Sequence, residues 1–303
     1  MLSIAEILGL RVCKGALNCA LNKPGKEYNV SFLLRFSRRV ALLSLACFAL
    51  TGSLNANADE QILKIGVTTG PHEEIFQAVK KVAERDYGLH IRIVAFSDYI
   101  QPDAALDAGD IDANSYQHRP FLAAQIRARG YKLVGVGRTW IGPIGIYSKK
   151  YKQFSALPDG ASIGIPNDPA NESRTLLLLQ KAGVIKLHSG IDPITGINAT
   201  PRDIISNPNN FRFTEIDAAQ LPRTLDDFDA TTINADYAIK AGLNPGRDTI
   251  LVEDANGPYA CLIAVREQDA NKPWVQQIVK AYQSDEVRNF ILTRYKGAII
   301  PAF

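Results

Sequence analysis

The order of strand-like and helix-like segments after residue 61 constrains the fold of this 303-residue chain more than any other feature. Apolar strand-like runs alternate with amphipathic helix-like runs at residues 63–67, 73–87, 89–96, 102–108, 111–116, 120–129 and 132–137. This alternation predicts a largely parallel sheet that is covered by helices on both faces. A polar loop at 155–160 then leads to a second run of the same kind. We therefore expect two α/β units.

The second unit begins with the strand-like segment SIGIP and ends at a cluster of glycine, asparagine and proline at 242–246. Short helices are predicted within it near 201–207 and 218–225. One amphipathic helix is predicted over 273–294, because its apolar residues recur at helical spacing. We expect this last segment to return to the first unit.

The predicted organisation is a pair of lobes behind an export signal. The first lobe is expected to contain residues 59–145 and 252–303, and the second lobe residues 146–251. Two α/β lobes with two chain crossings form a hinged clamp, in which strand ends and helix starts converge on a cleft between the lobes.

Residues 1–58 have the composition of a signal segment. Three arginines at 35–39 precede an 11-residue apolar run at 40–50, and small residues at 56–58 form a cleavage site. The apolar run is too short to span a bilayer as a mature helix. We expect cleavage after residue 58 and a periplasmic protein. The alternative is a lipid anchor at Cys47, which follows a weak lipobox-like Ser-Leu-Ala.

The charge of the chain changes when this signal is removed. Residues 1–58 contain 7 of the 34 Lys and Arg residues but only 2 of the 31 Asp and Glu residues, so the remaining chain has 27 basic and 29 acidic groups and a formal charge of −2. The excess of positive charge in the full chain, formally +3, therefore belongs to the signal. A nucleic-acid partner is therefore not indicated.

Cysteine usage excludes an intrachain disulfide in the exported chain. Cysteines 13, 19 and 47 lie in the expected signal, which leaves Cys261 alone. This residue lies in the apolar segment YACLIAV, where a cysteine usually acts as a small buried hydrophobe.

The segment 163–179 combines a strand, a polar loop and an apolar helix with Arg174 in the opening turn of that helix. The helix start carries partial positive charge, and a guanidinium offers a planar fork of donors, so together they would bind a small carboxylate. The alternative is an ordinary helix start, because Asp168 and Pro169 are a common N-cap and first-turn pair.

Further candidates lie where other predicted strands end and helices begin. They are Tyr99, then Asn114, Tyr116 and His118, and finally Asn234. Each has a structural alternative: a tyrosine at a strand end often packs, a lone histidine often caps a helix or lies in a core, and an asparagine is a good N-cap.

Catalytic and metal-binding functions are disfavoured. The histidines His72, His90 and His118, with Glu73, fit no zinc-ligand spacing. The chain also lacks a GxSxG elbow, a P-loop, a GxGxxG motif and a clustered carboxylate pair. We therefore expect a binding protein without enzymatic activity and without a cofactor.

Several longer segments match a known family. They are DIDANSYQHRPFL (110–122), RGYKLV (129–134), NDPANESRTLLLLQKAGVIKL (167–187), AAQLPRTLDD (218–227), INADYA (233–238) and YQSDEV (282–287). The chain thereby resembles the methionine-binding, NlpA-type lipoproteins over essentially all of residues 62–303. The resemblance implies a type II periplasmic binding protein fold, with two α/β lobes joined by two crossing strands.

The resemblance also implies a ligand, partners and roles for individual residues. Arg174 is expected to hold a carboxylate, Asn171 and Asn234 to bind the polar backbone of an amino acid, and three aromatic residues to form a thioether pocket. The expected site is Tyr99, Asn114, Tyr116, His118, Asn171, Arg174, Asn234 and Tyr237. The implied ligand is methionine, delivered to an inner-membrane ABC permease and its ATPase. The alternatives are a methionine derivative, a short peptide or zinc.

Two positions depart from the family pattern. Gly142 stands where the family usually has a tyrosine, and Cys261 lies in a segment where many members have an asparagine. We expect these changes to enlarge the pocket or alter its polarity.

Overall fold

Two five-stranded sheets organise residues 62–303, which are the residues that the computed structural model describes. The first sheet contains, in spatial order, β2 (His90–Phe96), β1 (Ile62–Thr68), β3 (Ala113–His118), β13 (Cys261–Arg266) and β4 (Leu133–Arg138). The second contains β10 (Arg212–Ile216), β7 (Ser162–Pro166), β11 (Ala230–Ile233), β6 (Gly145–Tyr147) and β12 (Thr249–Val252). Two short pairs complete the strands: β5 (Trp140–Ile141) with β14 (Ile300–Pro301), and β8 (Lys186–Leu187) with β9 (Ile204–Ser206).

Each sheet is parallel on one side and antiparallel on the other. Strand β1 pairs in parallel with β2 and β3, whereas β13 runs antiparallel to β3 and β4. In the second sheet β7 is parallel to β10 and β11, whereas β6 is antiparallel to β11 and β12. Four of the five strands of each sheet therefore run in the same direction, as the prediction of a largely parallel sheet requires, and β13 and β6 are the antiparallel strands. Strand β13 confirms that the C-terminal part returns to the first sheet.

Seven α-helices cover the sheets within residues 62–303. They are α1 (Pro71–Tyr87), α2 (Gln101–Ala108), α3 (Arg119–Arg129), α4 (Pro169–Lys181), α5 (Ala235–Lys240), α6 (Pro273–Tyr282) and α7 (Asp285–Tyr295). We call the first sheet with α1, α2, α3, α6 and α7 the first lobe, and the second sheet with α4 and α5 the second lobe.

Local sequence signals set the limits of α1. Pro71 occupies its first turn, where a missing N–H costs nothing, and Glu73 and Glu74 place negative charge near its N-terminus. Gly88 ends the helix in the left-handed conformation, with φ at 65°. The apolar stripe of α1, which includes Ile75 and Val79, is fully buried in the core of the first lobe.

Three predicted helices differ in the structure. The segment 273–294 forms two helices, because the Ser284 hydroxyl accepts a hydrogen bond from the Val287 N–H and begins a new helix. The predicted helices near 201–207 and 218–225 are only the 3₁₀ turns Pro201–Asp203 and Leu221–Thr224. After the first of these turns, residues Ile204–Ser206 pair with β8 as strand β9 and so do not continue a helix.

The chain passes between the sheets twice, at 139–144 and 253–260. Apart from β5, these crossings have irregular backbone, because Pro143 and Pro258 have no N–H to donate to a sheet. The crossings hydrogen-bond to each other: the Glu253 N–H donates to the Ile144 carbonyl at 3.0 Å. The expected signal and Cys47 lie outside the described residues.

Each lobe has its own core, and a third apolar cluster joins them. The second-lobe core includes Ile163 on β7 and Leu176 on α4. The joining cluster combines Tyr99 and Phe121 of the first lobe with Tyr237 of the second. No helix within residues 62–303 is both long enough and apolar enough to cross a membrane.

The Ser284 cap can be tested by substitution. Replacing Ser284 with Ala removes the acceptor for an orphan N–H, so we expect the free energy of unfolding to fall by about 1 kcal/mol. Urea denaturation measures this change. Ser284→Asp retains a capping oxygen and is expected to stay within about 0.5 kcal/mol of the parent protein. Equal stability of the Ala and Asp variants would contradict the assignment of the cap.

Candidate ligand-binding site

A small cavity lies between the lobes. The first lobe contributes the end of β3 and the loop after β2, and the second lobe contributes the first turns of α4 and α5. Both crossings also contribute, through Gly142 and Tyr259. Both lobes and both crossings therefore line the cavity.

Six of the eight expected site residues line this cavity: Tyr99, Tyr116, His118, Asn171, Arg174 and Asn234. The other two lie behind its walls. The Asn114 amide donates to Asp103 Oδ1 at 2.8 Å, and the Tyr237 hydroxyl donates to the Ser97 carbonyl at 3.2 Å. Neither Asn114 nor Tyr237 is among the lining residues.

Arg174 is 4% exposed and is held by an ion pair that the sequence did not predict. Its Nε donates to both carboxylate oxygens of Glu253, at 2.9 and 3.1 Å, and its Nη2 donates to Glu253 and to the Gly142 carbonyl. Its guanidinium carbon also lies 4.2 Å from the centre of the Tyr259 ring. These bonds use Nε and Nη2, so Nη1 is the nitrogen that they leave for a ligand.

The ion pair also determines the charge of Arg174. Burial acts to lower the pKa of this guanidinium, but the charge and hydrogen bonds of Glu253 outweigh burial and raise the pKa. Arg174 is therefore a permanent cation, and Glu253 balances that charge before any ligand binds.

The start of α4 is an ordinary capped helix end. The Asp168 carboxylate accepts a hydrogen bond from the Asn171 N–H at 2.9 Å, and Pro169 occupies the first turn. The ordinary N-cap, which was expected from the sequence as the alternative to a carboxylate site at this helix start, is therefore present. Asp168 occupies the end of α4, so Arg174 is the donor that α4 presents to a carboxylate.

A directional chain of hydrogen bonds orients the polar side chains of the cavity. The Asn171 amide nitrogen donates to both oxygens of Asp168, each at 3.0 Å, so the Asn171 oxygen must accept. That oxygen receives the Asn234 amide nitrogen at 2.9 Å and lies 3.1 Å from His118 Nε2. The Asn234 side-chain oxygen is thereby left as a buried acceptor without a partner within residues 62–303.

His118 is fixed from both sides in one neutral form. The Phe121 N–H donates to His118 Nδ1 at 3.1 Å, so the ring proton lies on Nε2 and is donated to Asn171. Burial, with a further contribution from the positive charge of Arg174, lowers the pKa of His118 to about 3. His118 is thus a helix cap, a cavity wall and a link between the lobes.

Aromatic rings form the apolar wall of the cavity. The ring centres of Tyr99, Tyr116 and Phe121 lie 5.9 to 6.0 Å from one another. The Tyr116 hydroxyl donates to the Tyr99 carbonyl at 2.8 Å, which holds the two rings in place. Such a wall suits an apolar or sulfur-containing side chain, because a thioether gains from contact with aromatic edges.

Hydrogen bonds across the cleft show that the lobes are closed on each other. The Tyr99 hydroxyl donates to Asp236 Oδ1 at 2.6 Å, and Lys240 Nζ donates to the Thr69 hydroxyl at 2.6 Å. The contact between His118 and Asn171 is a third bond of this kind. Several of these bonds lie in the cavity wall, so the wall and the contacts between the lobes share the same side chains.

The sequence profile of the NlpA lipoproteins matches residues 63–303. The chain belongs to the NlpA lipoprotein family. It is 46% identical over 245 residues to the D-methionine-binding lipoprotein MetQ of Salmonella typhimurium, covering 80% of this chain and 89% of the relative.

Solved structures of related proteins share the fold of this NlpA-family chain. A nutrient-binding protein from Burkholderia cenocepacia, bound to methionine, is 52% identical with a TM-score of 0.77, covering 80% of this chain and 100% of the other. A periplasmic substrate-binding protein of an ABC transporter from Coxiella burnetii is 47% identical with a TM-score of 0.75, covering 79% and 100%. The fold is therefore the type II periplasmic binding protein fold that the resemblance implied.

The two departures from the NlpA pattern have different consequences. A side chain at Gly142 would place its Cβ 2.5 Å from that of Ala235 and 2.9 Å from the Trp140 ring, so the space is already filled and the cavity is not enlarged there. Cys261 lines the cavity, and burial raises the pKa of its thiol. This wall of the cavity is therefore neutral and weakly polar.

Several lining residues of the cavity were missed from the sequence, among them Trp140, Asp236 and Tyr259, and so was Glu253, which holds Arg174 from behind. Glu253 had a local signal, because it directly follows the strand-like ILV, and Asp236 lies two residues after the expected Asn234. Among residues 62–303, no group of three or more His, Cys, Asp or Glu side chains is arranged to hold a metal ion.

The protonation state of His118 can be measured by NMR on ¹⁵N-histidine-labelled protein. We expect the neutral Nε2–H form throughout pH 5 to 8, because the pKa is lowered to about 3. The His118→Gln variant identifies the signal. A titration of this imidazole with a midpoint inside that pH range would contradict the hydrogen-bond assignment.

The ion pair of Arg174 is expected to matter for stability. Glu253→Gln leaves a buried guanidinium without its counter-ion, so we expect the free energy of unfolding to fall by roughly 3 kcal/mol. Glu286→Gln is the matched control, since Glu286 pairs with Arg85 at the surface, where ion pairs contribute roughly 0–1 kcal/mol. Equal effects of the two substitutions in urea denaturation would show that the buried pair has no special role.

Proposed function

We propose that the protein is an extracytoplasmic solute-binding protein that captures methionine and delivers it to an ABC importer. The observation that carries this proposal is a cavity between two closed lobes, with a buried guanidinium at one wall, two unpartnered acceptors at another and aromatic rings beside them. The names of the relatives support methionine as the ligand. The proposed role is binding and does not include catalysis.

The proposed division of labour follows from the chemistry of each wall. Arg174 binds the ligand carboxylate through Nη1, because its other nitrogens are engaged by Glu253 and Gly142. Asn171 and Asn234 position the polar backbone of the amino acid. Tyr99, Tyr116 and His118 enclose the side chain, while Asn114 and Tyr237 support these walls from behind.

Closure of the lobes is the proposed signal to the transporter. A ligand that contacts both lobes stabilises the closed state by its higher affinity for that state. The bonds from Tyr99 to Asp236 and from His118 to Asn171 add contacts that form only when the lobes meet. An inner-membrane permease with its ATPase is the proposed partner that recognises the closed form.

Export is the proposed origin of the extracytoplasmic location. The signal-like residues 1–58 support it, and the relatives are named lipoproteins. Intact mass of the exported protein distinguishes a soluble chain beginning at residue 59 from one that begins at Cys47 with attached lipid.

Ligand capture can be tested by calorimetry on protein stripped of co-purified ligand by unfolding and refolding. We expect L- or D-methionine to bind with a stoichiometry of one, because the cavity that contains Arg174 joins a carboxylate partner to an aromatic wall. Trp140 lines the cavity and gives an independent fluorescence signal. Absence of heat from every amino acid tried would contradict the proposed function.

The role of Arg174 in ligand binding can be separated from its role in stability. Arg174→Ala is expected to weaken methionine binding by roughly 2–5 kcal/mol, the usual effect of removing one member of a buried charge pair. Arg294→Ala, which removes an arginine paired with Glu74 at the surface, is the control and is expected to bind normally. The double variant Arg174→Ala, Glu253→Gln avoids an unpaired buried carboxylate. Unchanged affinity in the folded double variant would place the carboxylate elsewhere.

A further inference from the structure

Two of the buried acceptors that the cavity leaves without partners within residues 62–303 lie at the start of α5, while Gln117 Oε1 and His72 Nδ1 lie on the first lobe. Asp236 is 4% exposed, and its Oδ2 has no hydrogen-bond partner within residues 62–303. The Asn234 side-chain oxygen is also buried without a hydrogen-bond partner within residues 62–303, and both residues line the cavity. Buried polar atoms are nearly always hydrogen-bonded, so two unpartnered acceptors two residues apart at one helix start indicate a ligand group that donates.

The same wall lacks a positive charge in contact with Asp236. Arg174 is the only Lys or Arg that lines the cavity among residues 62–303, and it is committed to Glu253. The two histidines of the cavity, His72 and His118, are neutral, because burial lowers the pKa of each to about 3. Among the side chains of residues 62–303, the Tyr99 hydroxyl donates to Asp236, at 2.6 Å on Oδ1, and backbone N–H groups at the start of α5 also contribute. Burial raises the pKa of Asp236, so its charged form is costly unless a cation approaches it.

We propose that Asp236 and Asn234 form the subsite for the ligand ammonium group, and that Asp236 makes the cavity selective for ligands whose amino group is free. This inference rests on the proposed capture of an amino acid. It adds the residue that recognises the amino end and the class of ligands that the site rejects.

The chemistry of the ammonium group fits both acceptors. An ammonium has three donors, so it can bond to Asp236 Oδ2 and Asn234 Oδ1 together, and the bond to the carboxylate is charge-assisted. The direction of the Asn234 amide is set by Asn171, which in turn is set by Asp168, so the acceptor faces the cavity before the ligand arrives. With Arg174 at the carboxylate and Asp236 at the ammonium, the cavity is complementary to both ends of a zwitterion.

Ligands with a modified amino group lose this complementarity. A hydroxyl in place of the ammonium leaves the Asp236 carboxylate buried without a counter-charge. Acylation of the nitrogen removes the charge and adds bulk against the wall. A methionine inside or at the C-terminus of a peptide has the same defect, so the inference also excludes such peptides as ligands.

The wild-type protein provides the first test, by calorimetric competition among L-methionine, its 2-hydroxy analogue and N-acetyl-L-methionine. We expect L-methionine to bind at least about 30-fold more tightly than either analogue, which corresponds to the loss of a buried charge pair. Discrimination of less than about threefold would overturn the inference. Binding of none of the three compounds would instead overturn the proposed function.

The second test uses Asp236→Asn, with Asp269→Asn as the control because Asp269 is equally buried but lies outside the cavity. Asp236→Asn is expected to weaken the binding of L-methionine at least about 30-fold and to change the affinity for the hydroxy analogue by less than about threefold. The preference for L-methionine over the hydroxy analogue would then be largely abolished. Asp269→Asn is expected to retain the wild-type preference. An unchanged preference in folded Asp236→Asn would overturn the inference while leaving the proposed function intact. If that variant fails to fold, the wild-type competition decides.

Discussion

The ion pair between Arg174 and Glu253 is the interaction on which the rest of the site depends. It joins α4 of the second lobe to the return crossing, and the bond from Arg174 to the Gly142 carbonyl joins the same helix to the outward crossing. Glu253 also accepts from the Ile144 N–H at 3.3 Å, which closes the connection between the two crossings. A single buried cluster therefore fixes the guanidinium and ties together the segments on which the lobes turn. A ligand that contacts Arg174 acts directly on the hinge.

The hydrogen bonds around this pair have a consistent direction that gives the cavity two chemically different walls. Asp168 orients Asn171, and Asn171 orients His118 and Asn234, so the acceptor of Asn234 faces the cavity beside Asp236. The donor wall and the acceptor wall are thus set before binding, which lowers the cost of ordering the site. Affinity in such a site depends on how well a ligand matches both charges at once. The aromatic wall then selects the side chain.

The sequence predicted the architecture well because strands and helices depend on local patterns. The strand ends that carry Tyr116 and His118 and the helix start that carries Asn171 were located from periodicity and capping signals. Glu253 was not predicted as a partner of Arg174, because the two residues are 79 positions apart and meet only across the folded hinge. The single helix predicted over 273–294 was wrong for a local reason: the apolar spacing continues through Ser284, whose capping bond begins a new helix. Which residues lie behind the wall, as Asn114 does, depends on packing that no sequence pattern contains.

A crystal structure of the protein with bound methionine tests the central claim most directly. The account predicts that the ligand carboxylate lies within hydrogen-bond distance of Arg174 Nη1 while Glu253 keeps its bonds to the same guanidinium, and that the ligand ammonium contacts Asp236 Oδ2. A carboxylate bound away from Arg174, or a Glu253 side chain released from the pair when the ligand binds, would contradict it.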